Sequence, residues 1–216
     1  MRRPTLFACL VLIAAGIFGT QAEAGPFTSG WTLDADGSVL RFQSVKNKTK
    51  VESSTFATLA GGIDESGKAI VKVALDSIDT KVDLRNVRMR FLFFETFQYP
   101  DATVTTDLDP AAFADLAQSR RTTIALPFTL ELHGVTKAYE ASIVVTLLSD
   151  DMVSVASSAP ISIGAADFGL EGGIRKLEEA AGVELIPSAT VTFDFVFRRN
   201  GSEGAPKVVA ATKPLP

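Results

Sequence analysis

The fold is decided by residues 122–147, TTIALPFTLELHGVTKAYEASIVVTL, in which apolar and polar residues alternate on both sides of a short turn. The alternating residues are Ile124, Leu126, Phe128, Leu130 and Leu132 before the turn and Tyr139, Ala141, Ile143, Val145 and Leu147 after it. Alternation of this length predicts two half-buried antiparallel strands that share one apolar face. Because bare sheet edges promote aggregation, a chain of such strands must close its sheet or stack it.

Further segments follow along the rest of the chain; most of them alternate, and residues 51–63 are extended but less regular. They predict further strands over residues 31–34, 38–45, 51–63, 69–75, 102–108, 152–163 and 191–197. Asp36-Gly37 predicts a hairpin between the first two strands, and Gly61-Gly62 predicts a bend or a bulge. Asp83 and Asp109 are expected to cap short helices, and a third helix is expected over residues 174–181. Eight or nine short strands with few helices favour a barrel or a sandwich.

The first 24 residues have the composition of a secretory signal peptide. A basic start is followed by an apolar run over residues 6–19 and by Ala22-Glu23-Ala24, a small-residue cleavage site. The run is too short to cross a bilayer core of about 30 Å, which argues against a transmembrane anchor. We expect cleavage after Ala24 and a periplasmic mature chain without cysteine, because the single cysteine is Cys9. Residues 25–199 are predicted to form one domain and residues 200–216 a flexible tail.

The composition and the motifs argue against several classes of function. The predicted mature chain has a net charge of −5, which argues against a nucleic-acid partner. The chain has a single histidine, His133, and lacks both the Gly-x-Ser-x-Gly elbow and the glycine-rich phosphate loop. We therefore expect no metal site, no cofactor other than a bound lipid, and no enzymatic activity. An enzyme that acts on a lipid is the least favoured hypothesis.

The segment 83–99 interrupts the strand pattern. Three arginines, at positions 85, 88 and 90, precede FLFFETF at residues 91–97 and then Tyr99-Pro100. Four aromatic residues on a connection are unusual, because connections between strands are mostly polar surface. They could fill the core under a long crossover, or they could form the wall or lid of an apolar cavity. The residues by themselves leave both interpretations open.

Five short motifs, in order along the chain, resemble the YceI-like family of exported, polyisoprenoid-binding, lipocalin-like proteins. The motifs are WTLD at 31–34, SIDT at 77–80, RNVRMR at 85–90, the aromatic connection with Phe93-Phe94 and Tyr99-Pro100, and LHGVTK at 132–137. The resemblance extends from Trp31 to about Arg198. Asn86 departs from the family pattern, in which many members have aspartate, and the departure would alter an Arg–Asp contact at the pocket mouth.

The resemblance implies an all-β fold, an extended eight-stranded antiparallel lipocalin-like β-barrel with one to three short helices near its mouth. It also implies an elongated apolar cavity. The inward residues of the strands would line this cavity: Leu40, Phe42, Val71, Val73, Leu75, Phe128, Leu130, Ile143, Val145, Phe193 and Phe195. Its mouth or wall would be formed by Phe91, Phe93, Phe94 and Tyr99. Arg85 and Asp79 would form a polar anchor for a ligand headgroup, with an ion-pair network on the barrel rim as the alternative.

These expectations favour a periplasmic binding or carrier protein. Its partner would be a long-chain lipid, such as a polyisoprenoid, an isoprenoid quinone or a fatty acid derivative, held non-covalently by burial of its chain. We expect no integral membrane segment in the mature chain, and the sequence leaves a homodimer open. The alternative from another class is a stress-response or interaction scaffold whose barrel is fully packed and carries no lipid.

Overall fold

A computed structural model describes residues 25–202 of the chain. The predicted signal peptide and residues 203–216 of the predicted tail lie outside the described residues. Asn200, at the start of the predicted tail, is still attached to the domain. Its backbone N–H donates to the Gly30 carbonyl at 3.1 Å, and its side-chain oxygen accepts a hydrogen bond from the Thr32 hydroxyl at 2.6 Å.

The described residues form eleven strands and three α-helices. The strands are β1 (Trp31–Lys46), β2 (Lys50–Phe56), β3 (Leu59–Ile63), β4 (Lys68–Ala74), β5 (Ile78–Asp79), β6 (Asp101–Asp107), β7 (Arg121–Leu132), β8 (Val135–Ser149), β9 (Met152–Ser157), β10 (Ile161–Gly164) and β11 (Leu185–Arg199). The α-helices are α1 (Asp83–Arg88), α2 (Leu116–Ser119) and α3 (Glu171–Ala181). A π-helical turn (Met89–Phe93) continues α1, and 3-10 turns lie at Leu75–Ser77, Pro110–Phe113 and Ala166–Phe168.

The sheet closes on itself because β1 and β11 pair along their whole length. Trp31 stands opposite Arg199 at one end of this pair and Lys46 opposite Leu185 at the other. β2 and β3 follow one another along β1 as a single bent strand, and β9 and β10 do the same along β11. Across residues 25–202 the strands therefore occupy eight antiparallel barrel positions, and the predicted closed eight-stranded barrel is confirmed.

The predicted hairpin at Asp36-Gly37 is wrong, because β1 runs through this point without turning. The register with β11 shifts between Asp34 and Val39, so the residues between them form a bulge. The bulge is held by the Ser38 hydroxyl, which donates to the Asp34 carbonyl at 2.6 Å and accepts the Val196 backbone N–H at 2.9 Å. A long partner strand that pairs on both sides of a turn signal favours a bulge over a hairpin.

The predicted bend at Gly61-Gly62 is also misplaced. These glycines pair in regular register with Val71 and Ile70 of β4, and the chain bends instead between β2 and β3, at Ala57-Thr58. A Cβ atom at Gly62 would lie 2.7 Å from the Trp31 carbonyl oxygen. The glycines are therefore required by the close approach of neighbouring backbones.

The three predicted helical segments are present, but their caps and first residues differ in part from the prediction. Asp109 caps its helical turn as predicted, since its carboxylate accepts the Ala111 N–H at 2.9 Å. Asp83 is not a cap: the helix begins after Val82, and Asp83 is its first residue. The third helix starts three residues earlier than predicted, at Glu171. It packs against the π-helical turn.

Candidate functional site: an apolar cavity inside the barrel

The barrel interior contains a cavity of about 570 Å³. Its walls are formed mainly by aliphatic and aromatic side chains that alternate with outward residues along the strands. This volume lies within the range of about 300–1,000 Å³ that small-ligand pockets occupy. A fully packed interior has few voids larger than a water molecule, so the barrel is hollow rather than filled.

Most of the predicted lining residues border this cavity. They are Leu40, Phe42, Val71, Val73, Leu75, Phe93, Phe94, Phe128, Leu130, Ile143, Val145, Phe193 and Phe195. Phe91 and Tyr99 do not border it. Phe91 is exposed on the outer side of the helical segment. The Tyr99 ring instead packs on the β7–β8 turn, 4.2 Å from the His133 ring, where Gly134 leaves room for it.

Aromatic rings continue from the strands into the aromatic connection. The Phe42 and Phe56 rings lie 5.5 Å apart between centroids, Phe56 and Phe94 lie 6.1 Å apart, and Phe94 and Phe93 lie 4.8 Å apart in an edge contact. Neighbouring rings at these distances attract one another beyond their simple burial. Phe93 and Phe94 therefore belong both to the core and to the cavity wall, as the two interpretations left open by the sequence proposed. Neither interpretation holds for Phe91 and Phe97, which are exposed and do not border the cavity.

One end of the cavity is closed by aromatic packing. The Phe27 ring meets the Phe113 ring edge-on at 5.8 Å, and both border the cavity. Phe27 belongs to the segment before β1, which is tied to the barrel by a hydrogen bond from the Trp31 indole N–H to the Pro26 carbonyl at 2.9 Å. This closed end is the end at which Trp31 pairs with Arg199.

The cavity opens at the opposite end, which we call the mouth. The exposed residues among those that border the cavity lie together there: Val82, Leu84, Ala181, Ile186 and Pro187. They come from the start of α1, the end of α3 and the start of β11. The passage between these three elements therefore connects the apolar interior with solvent.

Charged side chains meet at one side of the mouth. Glu52 accepts from the Lys46 ammonium at 2.8 Å and from the Arg85 guanidinium at 2.9 Å, and all three residues border the cavity. Burial of Glu52 opposes its ionisation, but the hydrogen bond from Lys46 and the charges of Arg85, Lys46 and Lys50 outweigh it and lower the pKa of Glu52. This carboxylate therefore stays ionised at neutral pH and joins the β1–β2 hairpin to α1.

The structure places the two residues of the predicted polar anchor differently. Arg85 stands at the mouth, in the pair with Glu52. Asp79 does not border the cavity, and its carboxylate is held locally by the Lys81 ammonium and backbone N–H. Hydrogen bonds from Lys81 lower the pKa of Asp79. The ion-pair network that the sequence allowed as an alternative is present at the rim, although Glu52 rather than Asp79 is its centre.

Sequence reasoning missed Glu52 and Lys46. Lys46 begins the basic segment KNKTK at residues 46–50, whose composition is typical of a solvated turn, and Glu52 lies in a stretch without clear alternation. A usable signal existed, because Glu52, Ser54 and Phe56 share one face of β2, and Phe56 is apolar. An acidic residue at the end of an inward face marks the place where that face reaches water.

Asn86 takes a different role from the charge contact that the family pattern suggested. Its side-chain oxygen accepts hydrogen bonds from the Thr80 backbone N–H at 2.8 Å and from the Thr80 hydroxyl at 2.6 Å. Thr80 is buried and borders the cavity. The neutral amide therefore fixes α1 against β5 without adding a charge at the mouth.

His133 joins the β7–β8 turn to the helical segments. Its Nε2 atom lies 3.3 Å from the Glu95 carboxylate, which also accepts from the Lys176 ammonium of α3 at 3.2 Å. Hydrogen bonds from Lys176 and His133 lower the pKa of Glu95.

Within residues 25–202 no cluster of three His, Cys, Asp or Glu side chains could hold a metal ion. The same residues include no helix that is long and apolar enough to cross a membrane.

Comparison with known proteins identifies the fold. Residues 31–197 match the model of the YceI-like domain, which is most of the chain. The chain belongs to the YceI-like family. A structure of a polyisoprenoid binding domain from Saccharophagus degradans, implicated in plant cell wall breakdown, is 36% identical, with a TM-score of 0.75 over 78% of this chain and 98% of that domain.

A second solved structure supports the fold alone. BcnA of Burkholderia cenocepacia is 14% identical, with a TM-score of 0.57 over 76% of this chain and 98% of that protein. A search of curated proteins found no match. Family membership and the hollow apolar interior agree on a barrel that binds a hydrophobic ligand.

Proposed function

We propose that the protein is a periplasmic carrier that holds one long-chain hydrophobic ligand non-covalently, without catalysing a reaction on it. The observation that carries the proposal is the apolar cavity of about 570 Å³, closed at one end by Phe27 and Phe113 and open at the mouth. An apolar cavity that is closed at one end and open at the other suits a chain that enters lengthwise. The similar domain from Saccharophagus degradans is described as polyisoprenoid binding, which supports a polyisoprenoid, an isoprenoid quinone or a fatty acid derivative as the ligand class.

The physical basis of binding is burial of the chain. Each CH₂ group that leaves water contributes about 0.8 kcal/mol, and the loss of chain freedom and of free translation offsets part of this gain. The charged side of the mouth, with Lys46, Glu52 and Arg85, offers polar partners where the ligand would reach solvent. A ligand with an apolar tail and a polar head therefore fits the cavity better than a pure hydrocarbon.

The experiment is native mass spectrometry of protein recovered from the periplasm, followed by lipid extraction and identification. We expect a complex with one long-chain lipid and a polypeptide that begins at Gly25 and contains no thiol. Protein that is empty, and that takes up no added long-chain lipid, would favour the packed scaffold instead. Chemical conversion of the added lipid would favour an enzyme, and a polypeptide that retains Cys9 would contradict the export part of the proposal.

A further inference from the structure

The side of the mouth that carries Arg85 has an unusual surface. We call it the basic rim and define it as residues 46–52, the β1–β2 hairpin, and residues 79–93, which include α1 and the π-helical turn. The two segments are adjacent, because Glu52 of the hairpin pairs with Arg85 of the helix. In the described residues, five of the nine large apolar side chains that are exposed belong to this rim: Val51, Val82, Leu84, Val87 and Phe91.

The apolar side chains of the helical segment form one stripe. Leu84, Val87 and Phe91 are spaced by three and four residues, which places them on one helical face. Val87 is 45% exposed and Phe91 56% exposed, and neither borders the cavity. Leu84 does border it, so the stripe is continuous with the mouth. The opposite side of this segment, including Met89 and Phe94, is buried in the core. The exposed stripe therefore does not contribute to the core.

Charge on the basic rim is opposite in sign to that of the whole chain. The two segments contain seven basic residues and three acidic ones, a net charge of +4, whereas the chain as a whole carries −4. The other side of the mouth is acidic, with Glu178, Glu179 and Glu184 near the end of α3 and the start of β11. The positive charge is therefore concentrated on the side that also exposes the apolar stripe.

We propose that the basic rim docks on an anionic lipid bilayer, with the stripe Leu84–Val87–Phe91 inserted among the headgroups. The inference rests on the proposed carrier function and adds the place where the ligand enters. Exposed apolar residues on a helix with flanking basic residues are the physical signature of an interfacial membrane contact. Docking in this orientation brings the mouth to the bilayer surface, so a lipid chain passes into the cavity without crossing water.

Vesicle flotation tests the proposal. The probes are vesicles of phosphatidylcholine alone and vesicles of phosphatidylcholine mixed with phosphatidylglycerol. We expect binding to the mixed vesicles, much weaker binding to phosphatidylcholine alone, and loss of binding as the salt concentration rises. Removal of charge by Lys48→Gln and Lys50→Gln should weaken binding to the mixed vesicles by about fivefold for each lysine.

The decisive variant combines Val87→Ser and Phe91→Ser. It should bind the mixed vesicles about tenfold more weakly, because two apolar side chains no longer leave water. The matched control is Leu148→Ser, at a side chain that is 45% exposed at the closed end of the barrel, and it should behave like the unchanged protein. Equal losses in both variants, or no binding by the unchanged protein, would overturn the docking proposal.

Two further measurements separate this proposal from the carrier function. The affinity of Val87→Ser/Phe91→Ser for a fluorescent fatty acid in dilute solution should equal that of the unchanged protein, while its uptake of the same probe from mixed vesicles should be slower. Loss of solution affinity would mean that the stripe belongs to the ligand site, and docking would be rejected. Light scattering measures the oligomeric state of both proteins. If the unchanged protein is a dimer and the variant is a monomer, the stripe binds a second copy of the chain, and docking is also rejected.

Discussion

A substitution at one side chain, Val73 of β4, can test whether the barrel interior is hollow. This side chain is buried, borders the cavity and has β-branched shape, while its neighbour Ile70 on the same strand faces outward and does not border the cavity. A change at Val73 therefore alters the volume of the cavity, and a change at Ile70 does not.

Val73→Phe should reduce the amount of bound lipid strongly and lower the melting temperature only slightly, because the added ring enters empty space. In a filled core the same ring would overpack and cost about 1–3 kcal/mol. Thermal melts and lipid extraction of the purified variant measure both effects, and Ile70→Phe is the control. A large loss of stability with unchanged lipid content would contradict the hollow barrel.

The ion pair of Asp34 and Arg198 gives a second prediction for a single residue. Arg198 Nε donates to Asp34 Oδ2 at 2.7 Å, and this hydrogen bond lowers the pKa of Asp34 below its ordinary value of 3.8. Because the folded pKa is depressed, the stability from ionised Asp34 is present above pH 3.8 and is lost as the pH falls through the folded value.

Asp34→Asn should therefore cost about 1.5–3 kcal/mol at pH 7, the usual contribution of a hydrogen bond to a charged group. The difference from the unchanged protein should shrink as the pH falls below 3.8, since both proteins then lack the charge. Urea unfolding at a series of pH values measures the difference. A gap between the two proteins that stays constant down to acid pH would show that the charge of Asp34 does not contribute.

At the scale of the element, α3 docks on the π-helical turn through one glycine. A Cβ atom at Gly173 would lie 2.9 Å from Phe93 Cδ2 and 3.0 Å from Phe93 Cα, whereas a Cβ atom at Gly172 would meet nothing closer than 3.9 Å. Neither residue has the left-handed backbone conformation that favours glycine. The two glycines are adjacent in the helix and have nearly the same local preferences, so they form a matched pair.

Gly172→Ala should stabilise the protein by about 0.5–1 kcal/mol, because alanine restricts the unfolded chain and fits the helix. Gly173→Ala should destabilise it by about 1–3 kcal/mol, because α3 must move away from Phe93. It should also weaken binding of a fluorescent fatty acid, since Phe93 borders the cavity. Chemical denaturation compares the pair, and effects of the same sign would refute the close contact.

Some elements of the barrel could be predicted from the sequence, and others could not. Residues 122–132 of β7, 139–147 of β8 and 191–197 of β11 alternate in the sequence, and a half-buried strand is the structure that this period produces. The hairpin signal at Asp36-Gly37 failed because the bulge depends on pairing with Val196, which is far away in sequence. Local patterns describe local conformation, and the partner strand decided whether the chain turned.

The candidate site could likewise be predicted only in part. Inward residues such as Leu40 and Phe195 follow from alternation, and the structure places them on the cavity. Phe91 faces outward because the other side of the helical segment, with Met89 and Phe94, packs on the barrel. That packing joins distant segments, so a local pattern could not show which side of the segment faces inward. The meeting of Lys46, Glu52 and Arg85 depends on the packing of α1 against the hairpin, a contact between distant segments.

At the scale of the whole molecule, the closed end and the mouth define a length that a ligand can occupy. Apolar walls continue from Phe27 at the closed end to Leu84 at the mouth. A longer chain therefore buries more CH₂ groups until the cavity is full, and any further length emerges at the mouth into water or into a bilayer.

The last prediction concerns a series of isoprenoid alcohols of increasing length, measured by displacement of a fluorescent fatty acid. Affinity should rise with length by at most about fourfold for each buried CH₂, which corresponds to about 0.8 kcal/mol, and should then reach a plateau. Val73→Phe should move the plateau to a shorter chain, because the narrowed cavity fills earlier, whereas Ile70→Phe should leave it in place. An affinity independent of length from the shortest alcohol onward would mean that the chain does not enter the barrel.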